Sequence, residues 1–180
     1  MDINLLLRRI DSGDRSAFAE LVEHFQRPLF GYLGRMGLRQ GQAEEVAQDT
    51  FVRAWQRWAE YDPARAAFST WLFTIGRNLA INELTRASAN REQTLSEDML
   101  EMACEQGQPA QEVMARQLRL RVQQAMRMLP YDDRSALALA YYEELDMASI
   151  ARIEGCSVGA IKVRLHRAKQ RLRQLLESTI

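Results

Sequence analysis

Between Val158 and Arg173 six cations, Lys162, Arg164, Arg167, Lys169, Arg171 and Arg173, follow one another at intervals of two or three residues with no carboxylate among them. On a helix that spacing concentrates positive charge without neutralising it. Lysine and arginine on such a surface grip phosphates or donate to guanine edges. The chemistry is recognition rather than bond cleavage. The two histidines, His24 and His166, and the two cysteines, Cys104 and Cys156, occur without CxxC or Cys/His ligand spacing, and no nucleophile motif or phosphate-binding loop is present. The chain is therefore expected not to be an enzyme and to need no cofactor, metal or small-molecule substrate. Both cysteines read as free thiols.

The basic run needs an element to aim it, and the residues before it supply one. From Leu145 to Leu165 the sequence has the layout of a helix-turn-helix: Ala151 is small where two helices must cross, Gly155 permits the tight turn, and Ser157 can cap the second helix. At about 100° per residue, Val158, Ile161, Leu165, Ala168 and Leu172 fall on one face and anchor that helix. Lys162, Val163, His166 and Arg167 then point away, toward a major groove, with Arg164 on the flank. His166 reads equally as a DNA contact or as a tolerated exposed polar residue. An ordinary helical hairpin with a solvated basic face requires neither the capped turn nor the absence of acids.

Upstream, a helix over about Gln42 to Trp58 places Ala43, Val46, Ala47, Thr50 and Ala54 on one side, with Phe51 and Trp58 at its edge. Glu45, Gln48, Asp49, Val52 and Gln56 occupy the opposite side, with Trp55 beside them. That acidic, partly apolar face is either a solvated bundle surface or a docking surface for a basic protein. The next helix interleaves Trp71, Phe73, Ile75, Leu79 and Ile81 with Thr74, Arg77, Asn78 and Asn82. Leu72, Ile75 and Leu79 are expected in the core. Aromatics beside Arg and Asn can also stack on and hydrogen-bond to unpaired bases. The loop from Tyr61 to Phe68 forms either a pocket wall or a connector.

Strand signals are scarce and apolar residues recur at three- and four-residue spacing, which predicts an all-α chain. Helices are expected over Ile3–Ile10, from Ser16 through Pro28 to Met36 with a kink at the proline, over 42–58, and from a Ser69 or Thr70 cap to about Arg86. Further helices are expected from Val113 to about Leu129, over Ser135–Tyr142 and Met147–Ile153, and from Val158 to Leu176. Residues 88–110 lose the periodicity and favour Ser, Asn, Gln, Glu, Gly and Pro. The reading is two small helical domains, 1–90 and 113–180, joined by a flexible acidic linker, 91–112.

Charge follows the same division. Net charge is zero overall, but residues 1–90 carry 11 basic and 11 acidic groups, residues 91–112 carry 1 and 6, and residues 113–180 carry 12 and 7. A neutral total thus hides a basic C-terminal third. At 47% apolar and 27% charged residues the chain has enough apolar side chains for a core in water. The three-leucine run at Leu5–Leu7 is far shorter than a signal or membrane segment, so a cytoplasmic protein is expected, without direct membrane insertion.

Two separate segments resemble one family, the extracytoplasmic-function sigma factors of bacterial RNA polymerase. Ala43 to Trp55 followed by Phe68 to Asn78 is similar to that family's second conserved region, and Leu129-Pro130 through Leu176 to its fourth. The resemblance implies that Glu45, Gln48 and Asp49, with Val52 and Trp55 beside them, bind the core polymerase. It implies that Arg65, Ala66, Ala67 and Phe68, with Trp71, Asn78 and Asn82, capture an unpaired base of the minus-10 element, and that Lys162, Val163, Arg164, His166 and Arg167 contact the minus-35 element of promoter DNA. It further implies an anti-sigma protein that holds the factor inactive, at the inner membrane where that protein is itself membrane-bound. His166 stands where the family often has an aromatic, Lys162 where it often has an arginine, and Arg65-Ala66-Ala67 lacks a glycine often found there. Two rival readings are a dimeric helix-turn-helix regulator working without polymerase, and a helical adaptor whose basic helix binds an acidic protein. Neither requires the acidic face coupled to Phe68–Asn78.

Overall fold

The structure is a computed structural model that describes residues 2–89 and 109–178. Among them eight α-helices form: α1 (Ile3–Asp11), α2 (Arg15–Met36), α3 (Gln40–Gln56), α4 (Phe68–Ala89), α5 (Pro109–Arg127), α6 (Tyr131–Tyr141), α7 (Met147–Ile153) and α8 (Val158–Glu177), with a 3₁₀ turn at Trp58–Glu60. The chain is all-α. Most of the expected linker, and Cys104 with it, lies outside the described residues.

Local chemistry sets the helix ends. Asp2 and Asp14 cap α1 and α2 by accepting from the backbone N–H groups of Leu5 and Ser16. Helix α2 runs unbroken through Pro28 and ends at Gly37, whose φ of +103° is left-handed. Helix α4 starts at Phe68, so neither Ser69 nor Thr70 caps it as expected. The Trp71 N–H donates to the Ala67 carbonyl, and Thr70 is buried inside the first turn. Helix α5 begins at Pro109, within the stretch assigned to the linker, because proline suits a first helical turn where no N–H is needed. Helix α6 begins at Tyr131 rather than Ser135: Pro130 fixes the entry and Asp132 and Asp133 complement the first-turn N–H groups.

Helices α1 to α4 pack around Leu21, Leu29, Leu33, Leu72, Phe73 and Ala80, and α5 to α8 around Leu129, Leu139, Ile150, Ile161 and Ala168. Each fully buried aliphatic contributes about 1.5–3 kcal/mol by leaving water. Between the two groups α2 meets α6 and α4 meets α7, and their buried residues form one continuous cluster.

Polar bonds reinforce this contact. Arg134 of α6 is buried, and its guanidinium donates to the carbonyls of Met36, Arg127 and Leu129 at 2.7, 2.7 and 2.9 Å. The Met36 and Arg127 carbonyls end α2 and α5, where helices leave acceptors unfilled and carry partial negative charge. Arg35 lies over the Tyr142 ring, 3.8 Å from its centroid, and reaches toward Glu143, whose carboxyl is pushed up by burial against that cation's pull.

Candidate nucleic-acid and polymerase interface

The helix-turn-helix is built as its sequence suggests. Asp146 caps α7 by accepting from the Ser149 N–H at 2.9 Å, and the contact holds its carboxyl below the ordinary aspartate range. Gly155 turns the chain at φ +64°, a conformation a side chain resists. Ser157 then caps α8 by accepting from the Ala160 N–H at 3.1 Å. Ile161, Leu165 and Ala168 are buried and Leu172 packs beside them, which leaves Lys162, Val163, His166 and Arg167 exposed. Val158, expected among the anchors, is exposed instead, as are Gly159 and Ala160 in the same first turn of α8.

Arg164 differs from its neighbours. Its Nη1 donates at 2.8 Å to Oε2 of Glu154, a carboxylate with no solvent exposure. Glu154 also accepts from the Ser135 hydroxyl and from both Nε and Nη2 of Arg77, at 3.0 and 2.9 Å. Sequence reasoning missed Glu154. Its only signal is a lone acid at the helix-turn-helix turn, ten residues before an arginine on the recognition helix.

On the N-terminal side, the loop after the 3₁₀ turn is folded by its own polar groups. Asp62 accepts from the Ala64 N–H, and the Tyr61 hydroxyl donates to the Ala66 carbonyl. Burial, aided by Asp11 and Asp62, pushes the Tyr61 phenol up and keeps it a donor. Beneath lies an aromatic cluster in which Tyr61 and Trp71 are 5.1 Å apart between ring centroids and Phe68 packs under both. Arg65 and Ala67 are exposed, Ala66 and Trp71 half-buried, and Asn78 and Asn82 exposed further along α4. Phe68 is 2% exposed, so it forms the floor of this surface rather than its face.

The α3 surface divides in two. Gln48, Val52 and Trp55 line an apolar groove of about 830 Å³ whose other wall is Phe18, Val22 and Phe30 of α2. Glu45 stands exposed beside it, and Asp49 pairs with Arg53 at 3.1 Å. Sequence reasoning named no site residue on the α2 wall. Its signal was an apolar stripe broader than one buried face needs, because Phe18, Val22 and Phe30 lie beside the fully buried Leu21, Leu29 and Leu33.

A capped basic helix is thus joined in one chain to a second helical unit that presents half-buried aromatics, exposed amides and an acidic-apolar face. Residues 21–90 match the Sigma-70 region 2 family and residues 119–172 the Sigma-70 region 4 family. The ECF RNA polymerase sigma factor RpoE of Cereibacter sphaeroides is 35% identical over 170 residues, 94% of this chain and 92% of that protein. Among solved structures, CnrH in complex with the cytosolic domain of CnrY superposes with a TM-score of 0.73 at 26% identity, over 98% of this chain and 99% of that one. The sigma factor RpoE of Bartonella quintana, solved with the anti-sigma factor NepR, shares the fold at a TM-score of 0.71 and 24% identity, over 89% and 96% of the two chains. The chain belongs to the ECF RNA polymerase sigma factors. It is a promoter-recognising, non-enzymatic initiation factor, and the dimeric-regulator reading is not favoured because that architecture has no use for a region 2. Among the described residues no helix is long and apolar enough to cross a membrane.

Proposed function

We propose that residues 1–90 and 113–180 act as separate promoter-reading domains on the core polymerase. In this reading Lys162, Val163, His166 and Arg167 contact the minus-35 element in the major groove, with Arg164 at the edge of the contact. Arg65, Ala66, Ala67 and Trp71 over the Phe68 floor, together with Asn78 and Asn82, capture an unpaired minus-10 base. Glu45, Gln48, Asp49, Val52 and Trp55 dock the polymerase. The observation that carries the reading is the division of α8 into a buried apolar face and an exposed basic one behind a capped turn.

Base capture drives strand opening because only melted DNA presents the base. Extrusion costs a few kcal/mol per base, supplied by binding. The two elements lie about 25 base pairs apart, which is about 85 Å of duplex at 3.4 Å per base pair. Helices α4 and α8 meet through Glu154 in this structure, so the halves must part before both elements are read. A partner that stabilised the packed form would silence the factor. An anti-sigma protein, such as the one solved with the Bartonella quintana relative, fits that role, and a membrane-bound one would hold this factor at the inner membrane.

The test is run-off transcription with core polymerase on a genomic library, comparing wild type with the Glu45→Ala/Asp49→Ala variant. Initiation from discrete promoters, lost in the variant, is expected. DNA binding by the wild-type chain without any initiation on its own organism's core enzyme would overturn the reading.

A further inference from the structure

We propose that Arg77 is a DNA-phosphate contact held in reserve: Glu154 and Asp132 occupy its guanidinium while the halves are packed, and a phosphate of the opened promoter strand replaces them when the halves part. The inference rests on the sigma-factor reading of α4.

Arg77 follows Thr74 by three residues and precedes Ile81 by four, which puts all three on one face of α4, next to exposed Asn78 and Asn82. It stands within the surface assigned to the unpaired strand.

The hydrogen bonds of Arg77 run to Glu154 (Nε to Oε1 at 3.0 Å, Nη2 to Oε2 at 2.9 Å) and to Asp132 (Nη2 to Oδ1 at 2.6 Å), both from the C-terminal half. They leave the side chain 12% exposed. A guanidinium fork presents the same paired donors to a carboxylate and to a phosphate. Burial works against the charge, but the Glu154 hydrogen bonds and the pull of Asp132 outweigh it and leave the pKa raised, so Arg77 remains a cation.

Within Phe68–Ala89 the one acid is Glu83, which already accepts from Gln42 and pairs with Arg86. Once the C-terminal half leaves, α4 offers Arg77 no replacement anion, while Glu154 keeps Ser135 and Arg164. An unpaired cation beside the bases is then ready for phosphate.

The experiment uses the full chain with core polymerase and a promoter fragment recovered by run-off selection, and reads holoenzyme–promoter affinity against salt. Arg77→Ala is expected to weaken binding several-fold and to flatten the log-affinity against log-salt slope by about 0.7, the value for one single-strand phosphate. Arg77→Lys, which keeps a point charge but loses the fork, is expected to retain the slope. Asp132→Ala loosens the tie without touching the α4 face, so binding is expected to hold or strengthen. An unchanged slope in Arg77→Ala, or equal weakening in Asp132→Ala, would show that Arg77 is an interdomain tie alone and overturn the proposal. Wild-type holoenzyme that initiates at no promoter would instead remove the sigma reading beneath it.

Discussion

Tyr32 of α2 and Ser135 of α6 share a hydrogen bond of 2.7 Å where neither reaches solvent. The single Ser135 proton goes to Glu154, so the Tyr32 phenol is the donor in this pair. A relay therefore runs from the N-terminal bundle through Ser135 to the carboxylate that holds Arg77 and Arg164. Tyr32→Phe removes its first link and leaves Ser135 bonded to Glu154. A loss of about 1 kcal/mol is expected in urea denaturation at neutral pH. Burial raises the Tyr32 pKa far above the ordinary value. Its contribution is thus complete below about pH 10, the unfolded value, and declines above it. The wild-type advantage over Tyr32→Phe should narrow in denaturation series carried from pH 9 to 11.

Asp14 gives the opposite pH dependence. The Ser16 hydroxyl and then Arg9 hold its carboxyl at about 2, below the ordinary 3.8. A depressed folded pKa means stabilisation that is present above the ordinary value and lost as pH falls through about 2. Asp14→Asn keeps a capping side chain but has no charge to lose. Melting followed by circular dichroism should show wild type ahead at pH 5 and the gap narrowing steadily as pH falls toward 2. A gap that stayed constant would assign the effect to shape rather than charge.

Ser157→Ala removes the acceptor for the Ala160 N–H at the start of the recognition helix. The expected cost is about 1 kcal/mol, with promoter affinity reduced because the turn carrying Lys162 and Val163 frays. Chemical denaturation and a binding titration on the same variant check the two parts. Full affinity despite the lost stability would separate cap from recognition.

Gly37→Ala combines two penalties. The residue sits at φ +103°, and an added Cβ would meet Nη1 of Arg134 at 2.5 Å, displacing the group that donates to the Met36 carbonyl. A destabilisation of about 2 kcal/mol is expected. A variant whose urea midpoint matched wild type would show that neither the left-handed backbone nor the Arg134 contact resists a side chain here.

Trp55 is 40% exposed and packs 4.9 Å from Phe18 between ring centroids, at the edge of the α2–α3 groove. Trp55→Ala should change the melting temperature little. If the groove docks the polymerase, core affinity should fall tenfold or more, about 1.4 kcal/mol, as for a buried aromatic anchor. Fluorescence anisotropy with labelled chain reads this directly, and unchanged core affinity would remove the groove from the docking surface.

Much of this was legible in the chain because it depends on neighbours in sequence. A helical period of 3.6 residues decides which side chains share a face, so the buried Ile161, Leu165 and Ala168 and the exposed Lys162, His166 and Arg167 follow from spacing. The same holds for the Gly155 turn and the Ser157 cap, which span only a few residues. Helix starts were harder. Ser69 and Thr70 are good caps in isolation, but burial of Phe68 among Phe25, Trp58 and Trp71 draws the helix back past them.

Sequence by itself determined an all-helical chain, a capped helix with one basic face, and an acidic face followed by an aromatic helix. Tertiary structure alone decided that Phe18, Val22 and Phe30 wall a groove, and that Glu154 gathers Arg77, Arg164 and Ser135. The reason is range. Helical periodicity orders residues within a few turns, whereas Arg77 and Glu154 are 77 positions apart. No local pattern selects such a pair until α4 and α7 pack and leave a buried carboxylate that must find its cations.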